Sequence, residues 1–245
     1  MKSIAYKEMY NNELTHAWYK GTREQLAIML SKYATHNSKI LDIGCGTGGT
    51  IVFLKKKGFK NITGIDNSNI ALSYCKKRSI KNVIFGSANN LPFKNQSFDV
   101  VICMDVLYHE GVTPTGSVSE FFRVLKRGGL IYLQEPAYNW LKGSHDKAIN
   151  TRYRFNKKEL VGLVKKCDFQ VIKCSYFNTI FFLPIFLKRF SESLLHKESS
   201  SDVYILPLMI NYLLEKALKI ENKLLENINL PFGLSLICLA KKSKY

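Results

Sequence analysis

The chain has 245 residues, 46% of them apolar and 22% charged, which is ample material for one large packed core. That composition excludes a disordered tail protein and a collagen-like repeat. Lys and Arg total 36 against 19 Asp and Glu, a net charge of +17 that favours anionic partners without specifying a fold.

Residues 1 to 35 carry helical spacing, clearest at Leu26, Met29, Leu30 and Tyr33. The start, Met1 to Glu8, lacks the apolar core of a signal peptide. From Lys39 strands and helices then alternate. Lys39 to Ile43 is a short apolar run ending in glycines, and Thr50 to Lys57 reads as a helix closed by Gly58. Asn61 to Asp66 is a second strand, Asn69 to Arg78 a helix, Asn82 to Phe85 a third strand and Phe98 to Cys103 a fourth. Ser117 to Glu120 has the spacing of a capping box, which predicts a helix from there to Lys126. Gly128-Gly129 stops it, and Leu130 to Gln134 forms the fifth strand. Such alternation implies right-handed crossovers and a parallel sheet buried on both faces.

The second half differs. Asn156 caps a helix to Lys166, with Glu159 three residues on, and Phe169 to Tyr176 is a strand. Residues 177 to 230 are helix-like and greasy, and Leu234 to Ala240 is the last strand before a basic tail, Lys241 to Tyr245. The longest apolar stretch, Tyr176 to Leu187, is too short to span a bilayer and contains Pro184. Ser199 to Ser201 is the candidate mobile loop. The six cysteines form no C-x-x-C pair and sit among apolar neighbours, as reduced packing residues of a cytoplasmic protein. His36, His145 and His196 lack ligand spacing, so no metal is expected.

The most informative segment is Leu41-Asp42-Ile43-Gly44-Cys45-Gly46-Thr47-Gly48-Gly49. Gly44, Gly46 and Gly49 satisfy the dinucleotide pattern G-x-G-x-x-G, which is weak alone. Asp42 stands directly before the glycines, where a pyrophosphate would meet like charge but an ammonium would not. Asp66, at the end of the next strand, can accept both hydroxyls of a ribose. A nucleoside with an amino-acid tail satisfies both acids, and S-adenosylmethionine is such a molecule.

With these residues the chain resembles the class I S-adenosylmethionine-dependent methyltransferases of the type 11 family. The resemblance is carried by Ile40 to Gly49, Ile62 to Ser68, Asn90-Leu91-Pro92-Phe93, Ser97 to Val101, Val106-Leu107-Tyr108-His109 and Arg123 to Leu130, about residues 38 to 135 in all. It implies an α/β, Rossmann-like fold with a seven-stranded, mostly parallel sheet whose last strand is antiparallel. A helical cap is inserted between strands six and seven. On this reading residues 1–35 form an N-terminal helical segment over the cofactor, 36–176 and 231–245 the core, and 177–230 the cap.

The resemblance also implies that Asp42, Gly44, Cys45 and Gly46 meet the methionine end, Asp66 the ribose, and Asn67, Ser87, Ala88 and Asn89 the adenine. Cys103 faces the methionine portion, and Tyr19 and Arg23 belong to the segment folding over the cofactor. Ser87 departs from the family, which usually has an acid there, and so loses charge assistance to the adenine amine. S-adenosyl-L-homocysteine would be the product.

Transfer chemistry needs alignment and exclusion of water, plus a base where the acceptor is a hydroxyl. His109, with Tyr108, is the catalytic candidate because imidazole has the suitable pKa; a loop histidine shaping the pocket is the alternative. Tyr138, Arg152 and Arg154 flank the same edge as candidate substrate contacts, the arginines either clamping an anion or solvated. The expected acceptor is a small molecule, glycan or modified-peptide carboxylate, methylated at oxygen. The alternatives are N-methylation, RNA methylation and a non-catalytic cofactor-binding scaffold. The basic clusters lack an RNA-binding module or an N-P-P-Y motif, which weighs against a nucleic-acid partner. Residues 177–230 could form a lid, a homodimer interface or a peripheral membrane contact.

Overall fold

The structure is a computed structural model of the chain that describes residues 3–143, 146, 150–195 and 206–243. His145, His196, the triple serine and the last two residues lie outside it. The elements are α1 (Ser3–Asn12), α2 (Ala17–Ser31), β1 (Lys39–Ile43), α3 (Gly49–Lys56), β2 (Asn61–Asp66), α4 (Asn69–Lys77), β3 (Val83–Phe85) and β4 (Phe98–Met104). They continue with α5 (Pro114–Val124), β5 (Leu125–Pro136), α6 (Lys157–Lys166), β6 (Phe169–Phe177), α7 (Phe182–Leu195), α8 (Leu208–Asn227) and β7 (Ser235–Lys242). The strands make one seven-stranded sheet in the order β3-β2-β1-β4-β5-β7-β6. All pairings are parallel except those of β7, which runs antiparallel to both β5 and β6.

The expected seven-stranded, mostly parallel sheet with its antiparallel last strand is therefore present, and its local causes are visible. Gly48, at φ +86°, turns the chain into α3, and the Ser68 hydroxyl caps α4 on the Ala71 N–H. Asn156 and Glu159 form the full capping box of α6. One helix start differs. Ser117 is not a cap: α5 begins at Pro114, because proline at the first turn sacrifices no hydrogen bond. Ser117 is instead fully buried and donates to Asn89 Oδ1 at 2.9 Å. The helix also stops at Val124, before the glycine pair, and β5 begins at Leu125 through an irregular pairing near Phe98. The N-terminal 35 residues are two helices, broken between Asn12 and His16, where the His16 ring caps α2 on the Trp18 N–H.

The sheet is covered on both faces. One face packs α5 and α6, through Val118, Phe121, Leu160 and Val164. The other packs Leu26 and Leu30 of α2, Ile51 and Leu54 of α3, and Leu218 and Leu225 of α8. Helix α8 is thus part of the layered body. It grips α2 through Ala17 N–H to Asn211, Asn222 to Gly21 O, and the Lys20–Glu215 and Lys32–Glu226 ion pairs. Its outer side exposes Leu208, Met209, Tyr212 and Leu213. The basic tail is shorter than expected: Lys241 and Lys242 belong to β7, and the Lys242 ammonium donates to Phe122 O and Leu125 O. All six cysteines are buried. Among the described residues no helix is long and apolar enough to cross a membrane.

Candidate active site

The C-terminal ends of β1, β2, β4 and β5 share one edge of the sheet, where open α/β sheets bind ligands. The turn after β1 needs glycine twice. Gly44 has φ +68° and Gly46 φ +53°. A Cβ on Gly44 would stand 2.3 Å from Val106 Cγ2, and one on Gly46 3.2 Å from the sulfur of Met9. The bend therefore brings bare backbone under α1, with no side chain between.

Two acids frame that bend. Asp42, at the end of β1, is 3% exposed, and its Oδ2 has no hydrogen-bond partner. Burial pushes its carboxyl up to about 7, against the pull of Arg23. Asp66, at the end of β2, receives Gly46 N–H on Oδ2 and Ser68 N–H on Oδ1, both at 2.9 Å. It ties the two turns together, and burial raises its pKa despite those donors. A buried carboxylate oxygen without a donor, beside a bend free of side chains, fits a cationic ammonium in a polar, elongated ligand. Asp66 retains lone pairs for hydroxyls.

The N-terminal helices close over this bend. Tyr6 lies against Asp66 and Ser68, and Met9 against Gly46. Glu13, which the sequence reading passed over, is a buried hub: its carboxylate binds Arg23, Arg78 and the Thr47 hydroxyl. Arg23 also donates to the Glu13 carbonyl. Tyr19 lies under the Arg23 guanidinium, and burial pushes its phenol pKa upward. Arg23 thus reaches the glycine turn at Gly49, with the Tyr19 ring against its guanidinium.

The remaining candidates divide. Cys103 is fully buried at the tip of β4 and feels Glu135, Asp42 and Asp105. Cys45 points into the core beneath the loop, its sulfur against Cys75 and close to Gly64. Asn67 is exposed, Ala88 buried, and the Ser87 hydroxyl accepts the Asn89 N–H. The Asn89 amide is engaged by Gly111 O, Thr113 N–H and Ser117. The Tyr108 and His109 rings lie 4.1 Å apart, tilted by 38°, in the loop after β4, and the Thr151 backbone bridges to that of His109. Tyr108 and Arg152 line one small cavity of about 160 Å³, with Leu107, Pro114, Tyr153 and Phe155. Arg154, by contrast, forms a buried two-pronged pair with Asp146. Tyr138, at φ +63°, stacks on Tyr176 at 5.0 Å beside Trp140 and Phe182.

Three further site residues escaped the sequence reading. Glu135 is fully buried and accepts the N–H groups of Val106, Leu107 and Tyr108, fixing the loop that carries His109. Asp105 stands at the tip of β4 with φ +57°, bonded to Gln134. An acid at the C-terminal end of a strand was the available signal for Asp105, as it was for Asp42 and Asp66. Nothing local marked Glu135 or Gln134. Among the described residues no cluster of three or more His, Cys, Asp or Glu could hold a metal ion.

Comparison with known proteins agrees with this geometry. Residues 41–133 match the methyltransferase domain family. The sterol 24-C-methyltransferase of Schizosaccharomyces pombe is 28% identical over 157 residues, 58% of this chain and 40% of that protein, so the chain spans less than half of that relative. The ubiquinone/menaquinone biosynthesis C-methyltransferase of Campylobacter jejuni (serotype O:2) is 28% identical over 240 residues, covering 92% of this chain and 86% of the relative. An uncharacterised protein of Methanocaldococcus jannaschii is 30% identical, covering 67% and 68% of the two chains. The fold matches that of Haemonchus contortus phosphoethanolamine N-methyltransferase 2 in complex with S-adenosyl-L-methionine, with a TM-score of 0.59 at 23% identity, over 90% of this chain and 52% of that one. With glycine bend, paired strand-end acids and sheet order in place, the chain belongs to the class I S-adenosylmethionine-dependent methyltransferases.

Proposed function

We propose that the protein transfers a methyl group from S-adenosylmethionine to a small or medium-sized acceptor, at a hydroxyl of a sugar or natural product. The observation that carries the reading is the donorless oxygen of Asp42, buried beside a bend of bare glycine backbone. Asp42 would hold the ammonium of the cofactor and Asp66 its ribose hydroxyls. Tyr19 and Arg23 would cover the methionine end, and Ser87, Ala88 and Asn89 would border the adenine. When bound, the sulfonium supplies an activated methyl carbon. The chain's own task is to exclude water, which α1 and α2 do by covering the bend, and to orient the acceptor from the loop after β4 that Glu135 pins.

Carbon methylation is the second reading, supported by relatives named as sterol and ubiquinone/menaquinone C-methyltransferases. The aromatic cluster of Tyr138, Trp140 and Phe182 beyond the end of β5 would suit an apolar acceptor under either reading. Calorimetry with S-adenosylmethionine, S-adenosylhomocysteine and NADH tests the core claim. Binding of both adenosyl ligands without NADH is expected; the reverse selectivity would refute it.

A further inference from the structure

Asp42, Asp105 and Glu135 converge where β1, β4 and β5 end, and they are not equivalent. Asp42 and Glu135 are 3% and 0% exposed, and Glu135 is committed to three backbone N–H groups, whereas Asp105 is only half-buried. The left-handed backbone of Asp105 is an uncommon conformation for a non-glycine residue, of the kind that clusters at functional sites. Its N–H donates to Gln134 O at 2.8 Å, and its carboxylate accepts Gln134 Nε2 at 3.2 Å. The other end of that amide, Gln134 Oε1, is fully buried and has no donor. Gln134 Oε1 is thus a buried acceptor without a donor, on the same amide that holds Asp105, and it can take an O–H or N–H from a ligand.

Sheet order says which part of a ligand comes here. Asp66 on β2 and Asp42 on β1 mark the ribose and ammonium positions, and β4 lies on the other side of β1. Strands stand about 4.8 Å apart, so the part of the ligand reaching β4 is the part remote from the nucleoside. Tyr19 over the cleft and Cys103 beneath it both feel Asp105.

We propose that Asp105, oriented by Gln134, faces the reacting carbon and takes the proton of a neutral O–H or N–H acceptor. The inference rests on the methyltransferase reading. In the step, the acceptor's lone pair bonds the methyl carbon and the carbon–sulfur pair leaves on sulfur. The O–H or N–H pair stays on the heteroatom while its proton passes to an Asp105 oxygen. A carboxylate acceptor is disfavoured, since it would meet the like charge of the ionised Asp105. Burial pushes the Asp105 carboxyl up to about 6, so it is ionised at neutral pH and close enough to serve as a base. The titratable groups around it are Tyr19 of α2, Cys103 of β4, Tyr108 of the following loop, Tyr132 and Glu135 of β5, and Arg154.

Two ligands read the position without turnover. Sinefungin carries an amine where the sulfonium methyl stands; S-adenosylhomocysteine carries nothing there. The wild type should prefer sinefungin, increasingly as pH rises through about 6. Asp105→Asn, whose side chain tolerates the left-handed backbone, should lose that preference about tenfold and its pH dependence, with S-adenosylhomocysteine binding unchanged. Gln134→Met, checked for native circular dichroism, should lose part of the preference. If both variants keep the wild-type ratio, Asp105 does not face the reacting carbon, though the cofactor site stands. If the wild type binds neither ligand, the methyltransferase reading itself fails. With methyl-labelled S-adenosylmethionine and a source-cell extract, the labelled product should be stable to mild alkali and absent with D105N. Volatile methanol, the mark of a methyl ester, would overturn the acceptor class.

Discussion

Asp42 shows how one side chain trades stability for binding. Its carboxyl sits at about 7 in the fold, against about 3.9 in an unfolded chain. The folded state therefore holds the proton more tightly, and this contribution is complete below about pH 4. It is lost as pH rises towards 7, with a slope of up to about 1.4 kcal/mol per pH unit. Asp42→Asn should abolish that slope and raise the ligand-free melting temperature at pH 8, by about 2–4 °C per kcal/mol recovered. The same substitution should weaken S-adenosylmethionine at least about tenfold, because the neutral amide cannot pair the ammonium. Thermal scans and calorimetry at pH 5 and 8 check both halves; a variant that is less stable at pH 8 contradicts the assignment. Glu13 is the opposite case, since its removal leaves buried guanidinium groups at Arg23 and Arg78 unpaired. Glu13→Ala should cost about 3–5 kcal/mol in urea unfolding.

Between elements, the decisive contact is Gly21 of α2 against Leu218 of α8. A Cβ at Gly21 would lie 2.5 Å from Leu218 Cδ1, so the two helices approach as closely as they do only because that side chain is missing. Gly21→Ala should destabilise by about 1–3 kcal/mol through overpacking, and Leu218→Ala by about 2–5 kcal/mol through the cavity it leaves. The double variant should cost less than the sum, because the new methyl enters the vacated space. Additive losses in denaturant unfolding would show that the helices do not meet there. Because α2 also carries Tyr19 and Arg23, pairing with α8 couples the inserted helices to the cofactor cleft. Deleting residues 179–229 would strip this support and perturb cofactor binding as well as the acceptor side, a broader effect than a detachable lid would have.

For the whole molecule the surplus of +17 is a field, not a site. Lys55, Lys56, Lys76 and Lys77 lie on the last turns of α3 and α4, where they also complement the helix dipoles. Self-repulsion is screened over about 30 Å at 0.01 M salt and about 8 Å at 0.15 M. The melting temperature should therefore rise between 10 and 150 mM potassium chloride, and a fall on differential scanning calorimetry would show that specific ion pairs outweigh the net charge.

Strand and helix identity, the parallel sheet, the glycine bend and the acids at 42 and 66 were legible in the residues, because short-range rules govern them. Period-two and period-3.6 patterns, capping residues and glycines at left-handed positions act within a few neighbours. Where a local signal competed with another, as at Ser117 against Pro114, the stronger backbone constraint won. The rest depended on distance along the chain. Glu13 meets Thr47 and Arg78, Glu135 meets the loop at 106–108, Gln134 meets Asp105, and α8 meets α2, all across roughly 30 to 200 residues. A buried carboxylate looks like any surface one until the chain has folded around it, because only packing removes the water that would otherwise satisfy its charge.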